Sequence, residues 1–310
     1  MMQILRSIPE LSELSGPLFL AIGVFDGVHL GHQAVISTSA QHARAANGTP
    51  VVLTFDPHPE KILRPDKAPH LLTATQHKID LIRALGVQHL LIIPFDKHFA
   101  ATEPEHFVTQ LVQHSKPLSE ICVGHEWSFG RNRRGNLQLL KKLGSEFDFD
   151  VVGIPPVSVS GEIVSSTTIR RAIEAGDLKK TATMLGREYT ILGTIVHGDD
   201  VGKKIGFPTA NLSAHSEQFP PNGVYFAEAT LDNVVHPGVV NLGCRPTMSS
   251  HGSDRILEVY LLDFDQDIYG KDLELRFVRY LRPEKKFESV DALVRQIERD
   301  VQQARELAAA

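Results

Sequence analysis

The pattern of short apolar runs changes character once along this chain, near Gly186, and that change constrains the fold more than any other feature. Before it, apolar runs at Leu18–Val24, Val51–Phe55, Leu90–Ile93, Ile121–Gly124 and Val151–Ile154 alternate with helix-like stretches. Those stretches are Gln33–Ala46, Thr75–Leu85, Pro104–His114, Leu137–Phe147 and Thr168–Leu185. Continuous apolar strands with helical crossovers predict an open, doubly wound parallel sheet, with ligands at the carboxyl ends of its strands. After Gly186 the runs are Tyr189–Val196, Val224–Leu231, Val234–Asn241, Ile256–Phe264 and Leu273–Tyr280. Turn signals rather than helices separate them, so an antiparallel barrel is expected. Val290, Leu293, Val294, Ile297, Val301, Ala304 and Leu307 then trace the apolar stripe of a closing helix, with Ser289 placed as its N-cap. A length of 310 residues accommodates two such domains, expected at 1–185 and 186–310.

Composition narrows the function classes. A formal charge of −5 argues against a nucleic-acid-binding surface. Cys122 and Cys244 form no C-x-x-C pair, so neither a disulfide scaffold nor a cysteine zinc site is indicated. His125-Glu126 lacks the second histidine of H-E-x-x-H, because Phe129 stands there. The apolar run Pro17–Phe25 is too short to span a bilayer, and Glu10 and Glu13 precede it where a signal peptide would be basic. A cytoplasmic protein with no membrane partner is expected.

Phosphate chemistry is suggested first at the end of the Leu18–Val24 run. Gly23 and Phe25 lead into Asp26 and Gly27, and His29, Gly31 and His32 follow at the start of a helix-like stretch. Histidines three apart share one face of a helical turn, where free N–H groups and a partial positive charge already favour anions. Gly31 removes a side chain from the approach. Two surface histidines on an amphipathic helix would give the same spacing. A second candidate is Gly202-Lys203-Lys204-Ile205-Gly206-Phe207-Pro208-Thr209-Ala210-Asn211. Lys204 stands where a P-loop requires Ser or Thr. After Pro208 an extended chain turns Thr209 and Asn211 the same way, as a Mg²⁺–phosphate site would use. Glu258 shares a strand face with Ile256, Tyr260 and Leu262, opposite Leu257, Val259 and Leu261. A carboxylate among apolar neighbours is a candidate general base, and desolvation would raise its pKa. A structural pairing of Glu258 with Arg255 or Lys271 is the competing reading.

These segments carry a resemblance. His29-x-Gly31-His32 together with Ser165-Ser166-Thr167-Thr168-Ile169-Arg170 resembles the nucleotidyltransferase superfamily, relatives of class I aminoacyl-tRNA synthetases. Thr54-Phe55-Asp56-Pro57-His58-Pro59 is similar to the T-F-x-P-H-P stretch of its flavin-specific branch. Val123–Gly130 with Arg134-Gly135 is similar to V-G-x-D/N-F-x-F-G…R-x-G, with Glu126 in place of Asp or Asn and Trp127 in place of Phe. The Gly202–Asn211 string resembles the riboflavin kinase motif G-R-x-x-G-F-P-T-A-N, with Lys203 for Arg. Glu258-Val259-Tyr260-Leu261-Leu262-Asp263-Phe264 and Asn241–Thr247 match two more kinase stretches, and Leu281–Ser289 a third.

The chain therefore looks like the bacterial bifunctional FAD synthetases. The resemblance implies a Rossmann-like nucleotidyltransferase domain, then a six-stranded antiparallel barrel with a C-terminal helix. It implies phosphorylation of riboflavin to FMN with release of ADP, then adenylylation of FMN to FAD with release of pyrophosphate. ATP is the co-substrate of both steps and Mg²⁺ the metal. In the first domain it implies His29 and His32 as catalytic residues and ATP binding at Gly23, Phe25, Asp26, Gly31, Ser165, Ser166, Thr167 and Arg170. His58 and Glu126 border FMN and its phosphate, and Phe129 borders the flavin ring or is a core aromatic. In the second, Gly202, Lys203, Gly206, Phe207, Pro208, Thr209 and Asn211 meet ATP, with Thr209 and Asn211 on Mg²⁺. Glu258 is the base, and Arg282 and Phe287 close the flavin pocket or dock the final helix. A monofunctional kinase, a transferase for another substrate and a flavin-sensing regulator remain alternatives. Self-association is left open.

Overall fold

The computed structural model describes residues 2–197, 202, 205–215, 218–244 and 255–309. They divide into two compact units: residues 1–71, 75–168 and 184–186 form one, and 72–74, 169–183 and 187–310 the other.

The first unit carries strands β1 (Gln3–Leu5), β2 (Leu18–Ile22), β3 (Thr49–Asp56), β4 (His89–Pro94), β5 (Leu118–Gly124) and β6 (Asp150–Ile154). They form a parallel sheet in the order β1-β4-β3-β2-β5-β6. Connecting helices are α1 (Leu30–Ala45), α2 (Pro59–Leu63), α3 (Thr75–Ala84), α4 (Lys97–Ala100), α5 (Pro104–His114) and α6 (Leu137–Phe147). Strand side chains alternate between faces, so each strand supplies two cores. Leu20, Leu53 and Ile121 pack with Val108, Leu111 and Leu140 on one face. Ala21, Val52 and Cys122 pack with Val35, Ile36, Ile79 and Ile82 on the other. Burying a side chain of the Val, Leu or Ile type contributes about 1.5–3 kcal/mol, which favours the doubly covered arrangement. Strand order reverses at β2, with β3 on one side and β5 on the other. A crevice at the carboxyl ends of such strands is the site this topology provides.

The first strand and the last helices of this region differ from the sequence expectation. β1 is an extra strand, only three residues long and without a clear apolar run. The helix expected over Thr168–Leu185 is two helices, α7 (Ser166–Glu174) and α8 (Leu178–Leu185). Gly176 adopts a positive φ of 75° between them, and Asp177 Oδ1 accepts from Lys180 N at 2.9 Å to cap the second. A small antiparallel pair, β7 (Ser158–Val159) and β8 (Glu162–Ile163), precedes α7.

The second unit holds β9 (Thr190–Val196), β10 (Ala210–Ala214), β11 (Gly223–Leu231), β12 (Val234–Cys244), β13 (Arg255–Leu261) and β14 (Asp272–Arg282). They close into an antiparallel barrel in the cyclic order β10-β13-β12-β11-β14-β9. Closure leaves no free sheet edge. Val240, Leu242, Leu257 and Val259 alternate with Asn241 and Glu258 and are fully buried inside it. The final helix, α9 (Val290–Ala308), lies on the outside. Its Val301, Ala304 and Leu307 pack against Val224, Phe226, Val239 and Leu262. Ser289 Oγ accepts from Ala292 N at 3.2 Å, the cap expected of it.

Two candidate active sites

In the first unit the chain leaves β2 through a tight turn into α1. Phe25 and Val28 both take positive φ, 53° and 40°. For a β-branched residue such as Val28 this is a strained conformation. His29 is buried and caps α1, its Nδ1 accepting from His32 N at 3.3 Å. The two imidazoles stack with centroids 3.5 Å apart, and Phe25 meets His32 edge-on at 5.3 Å. A Cβ on Gly23 would fall 2.7 Å from the Phe25 ring, and one on Gly31 3.2 Å from the His29 ring. The small residue at 31 therefore makes room for the His29 ring. Burial holds the His32 pKa well below the ordinary histidine value, and His29 and Lys78 add to the effect.

The Ser-Ser-Thr loop reaches the same turn. Ser166 Oγ donates to Asp26 O at 2.9 Å. Ser165 Oγ accepts from Thr168 N at 3.1 Å and so caps α7. Thr167 is exposed. Arg170 is half-buried one turn into α7 and belongs to the second unit.

A cavity of about 620 Å³ opens at the carboxyl ends of β3, β4 and β5. Six aromatic side chains contribute to its walls: Phe55, Phe95, Phe99, Phe107, Trp127 and Phe129. Trp127 and Phe129 stack at 4.5 Å with planes 11° apart. Phe129 is held by paired backbone bonds with Gly135, 3.0 and 2.9 Å, and a Cβ on Gly135 would strike its ring at 2.7 Å. His58 and Glu126 also line the cavity, Glu126 exposed at its rim. His58 caps α2 by accepting from Glu60 N at 3.2 Å. Phe95, Phe99 and Phe107 carry no motif, and only the fold reveals them. A cavity that sets aromatic faces beside polar and charged groups suits a planar heteroaromatic ligand with a polar tail.

In the second unit, Glu258 lies on the outer face of the barrel. The strand register sets Asn211, Glu258 and Asn241 side by side on β10, β13 and β12. Asn241 Nδ2 donates to a Glu258 carboxylate oxygen at 3.3 Å. The two cations considered as its partners are engaged elsewhere: Arg255 donates to Pro220 O, and Lys271 pairs with Asp232. Glu258 and Thr209 both line a cavity of about 330 Å³ between this face and α9. Gly202 and Phe207 border it too. Phe207 N donates to Gly202 O at 2.9 Å, and a Cβ on Gly202 would sit 2.3 Å from Phe207 O, so the loop closes only around a glycine. Gly206 takes a φ of 87°, Pro208 is exposed, and Phe207 meets Tyr260 edge-on at 5.5 Å. Lys203, Arg245, Pro246 and Thr247 lie outside the described residues. Arg282 binds Asp300 through three hydrogen bonds of 2.7–3.0 Å and sits 5.8 Å above the Phe287 ring. It thus docks α9 and walls the cavity at once. Asp300, buried on α9, had no signal in the sequence.

A polar row on the barrel of one unit, and paired histidines at a helix start and an aromatic-lined cavity in the other, point to a class. It is a two-unit enzyme that joins an α/β nucleotidyltransferase-type sheet to a kinase-type barrel. Family models agree: FAD synthetase matches residues 12–168 and riboflavin kinase residues 185–308. The bifunctional riboflavin kinase/FMN adenylyltransferase of Escherichia coli K12 is 36% identical over 307 residues, covering 98% of this chain and 97% of that one. The Bacillus subtilis protein of the same description is 35% identical over 290 residues, 92% and 90% of the two chains. The chain belongs to the bifunctional riboflavin kinase/FMN adenylyltransferase family. A crystal structure described as a macrolide-efflux protein from Streptococcus pneumoniae superimposes with a TM-score of 0.82, 28% identity and 98% coverage of both chains. Among the described residues here, no helix is long and apolar enough to cross a membrane.

Proposed function

We infer that this chain makes FAD from riboflavin in two steps, each in its own domain. The barrel domain, 186–310, moves the γ-phosphoryl group of ATP to the ribityl hydroxyl of riboflavin and releases ADP. The sheet domain, 1–185, moves AMP from ATP to FMN and releases pyrophosphate. The observation that carries this reading is a separate cavity in each unit, lined by the segments that match the two family models.

The two acceptors make different demands. FMN brings a phosphate with a second pKa near about 6, largely dianionic at neutral pH. Its oxygen attacks the α-phosphorus as the bond to the β-phosphate oxygen breaks. Positioning and charge neutralisation suffice for that displacement. His29, His32 and the α1 N-terminus, with Ser165, Ser166 and Thr167, take the ATP phosphates. Gly23, Phe25, Asp26 and Gly31 shape their cradle. Phe129, His58 and Glu126 border the flavin and its phosphate. The ribityl hydroxyl needs its proton removed. Glu258 accepts it while the oxygen bonds to the γ-phosphorus, and Asn241 orients the carboxylate. Gly202, Lys203, Gly206, Phe207 and Pro208 wrap the nucleotide, and Arg282 and Phe287 close on the flavin.

Thr209 and Asn211 offer a hydroxyl and a carboxamide oxygen next to Glu258, hard donors that suit Mg²⁺ shared with substrate phosphates. When bound, Mg²⁺ neutralises charge on those phosphates. The cytoplasm, which supplies ATP, is the compartment we assign to this chemistry. Incubation with riboflavin, ATP and Mg²⁺, followed by separation of the flavins, tests the reading. FMN should appear first and FAD after it. Accumulation of FMN alone would reduce the chain to a kinase.

A further inference from the structure

Lys78 is a charged side chain with almost no access to water, 6% exposed, at the base of the adenylyl-transfer site. Burying an ammonium group is costly unless its protons are taken up. Here each has a partner at 3.2 Å: Val24 O, Thr54 Oγ1 and Phe55 O. Thr54 Oγ1 in turn donates to Val24 O at 2.9 Å. Val24 follows β2, while Thr54 and Phe55 belong to β3. One turn earlier on the same helix, Thr75 Oγ1 donates to Asp56. Helix α3 is therefore fastened to the carboxyl ends of both strands.

Val24 O is also the last carbonyl before the strained turn of Phe25 and Val28. At the far end of that turn, Gln33 Nε2 donates to Val28 O at 2.9 Å. Conformations of this kind persist only where their surroundings over-determine them. Lys78 and Thr54 grip one end and Gln33 the other, and His29 follows at once. With all three protons spent on protein acceptors, the ammonium has none for a phosphate.

We propose that Lys78 is a positioning residue for adenylyl transfer, holding the Val24–Val28 turn so that His29 and His32 meet ATP in fixed geometry. This rests on the assignment of adenylyl transfer to the sheet domain. The nearby charges agree: burial lowers the Lys78 pKa, while Asp26 and Asp56 support its charge.

The test is Lys78→Met in the full chain, close in length and without the charge. FAD formation from FMN gives kcat, and the fluorescence of Trp127, the chain's single tryptophan, reports FMN binding in the cavity it lines. The expected result is a fall in kcat of about tenfold or more, with the FMN Kd within about threefold of the parent and riboflavin phosphorylation unchanged. A kcat within about twofold of the parent, or a loss seen only as weaker FMN binding, overturns the role. Should Lys78→Met fail to fold, Thr54→Val removes the shared hydroxyl and is judged by the same two results. A parent that makes no FAD fails the functional assignment and this role with it. An active parent beside an unimpaired variant fails this role alone.

Discussion

His29 and His32 look alike in the sequence and are unlike in the folded chain. His29 closes the helix start, whereas His32 is packed between Phe25 and His29, and burial lowers its pKa. His29→Ala should lower FAD formation by about a hundredfold or more, the cost of losing a preorganised transition-state donor, and leave FMN formation intact. Glu258→Gln should do the reverse, since a general base supplies about 10²–10⁴ in rate. Assays of both activities on both variants check the pair, and equal loss of the two activities in either folded variant contradicts the assignment. His32 also gives a pH signature. Its folded pKa is depressed, so the unfolded chain takes up a proton below about pH 6.5 that the native chain refuses. The stability is present above that pH and is lost as pH falls towards the folded value, by at most about 1.4 kcal/mol per pH unit. Denaturant melts at about pH 7.5 and 5.5 should show the parent losing more stability than His32→Gln. Equal losses would contradict it. At this scale the motif residues were legible because their chemistry is local. Lys78, Asp300 and the Phe95–Phe99–Phe107 wall were not, because each acts on residues distant in the chain.

Elements with a strong period were legible from their apolar residues. The sheet strands β2 to β6 stand as continuous runs, and the α9 stripe reappears as its contact with the barrel. β1 and β10 escaped because three or five residues with polar members carry little periodicity. The break between α7 and α8 was present as Gly176-Asp177, a stop and a start that an unbroken apolar pattern concealed. The cap of α9 makes a measurable prediction. Ser289→Ala should cost about 1 kcal/mol. Urea unfolding of the barrel transition would show it as a lower midpoint at unchanged slope. An unmoved midpoint would mean that packing of the helix, not its cap, fixes its start.

Across the whole molecule the decisive fact is that each unit has its own core and its own cavity. The face of Glu258 was predicted correctly, but its cavity exists only because α9 covers the outside of the barrel. The sheet cavity likewise depends on strand order, which brings the ends of β3, β4 and β5 together. Two ATP sites with different acceptors should leave different marks on the products. The most direct test supplies riboflavin and Mg²⁺ with ATP labelled at either the γ- or the α-phosphorus, and separates FMN from FAD. The γ-label should enter both FMN and FAD, and the α-label FAD alone. An α-label that never reaches a flavin, or a γ-label absent from FMN, would contradict the division of labour.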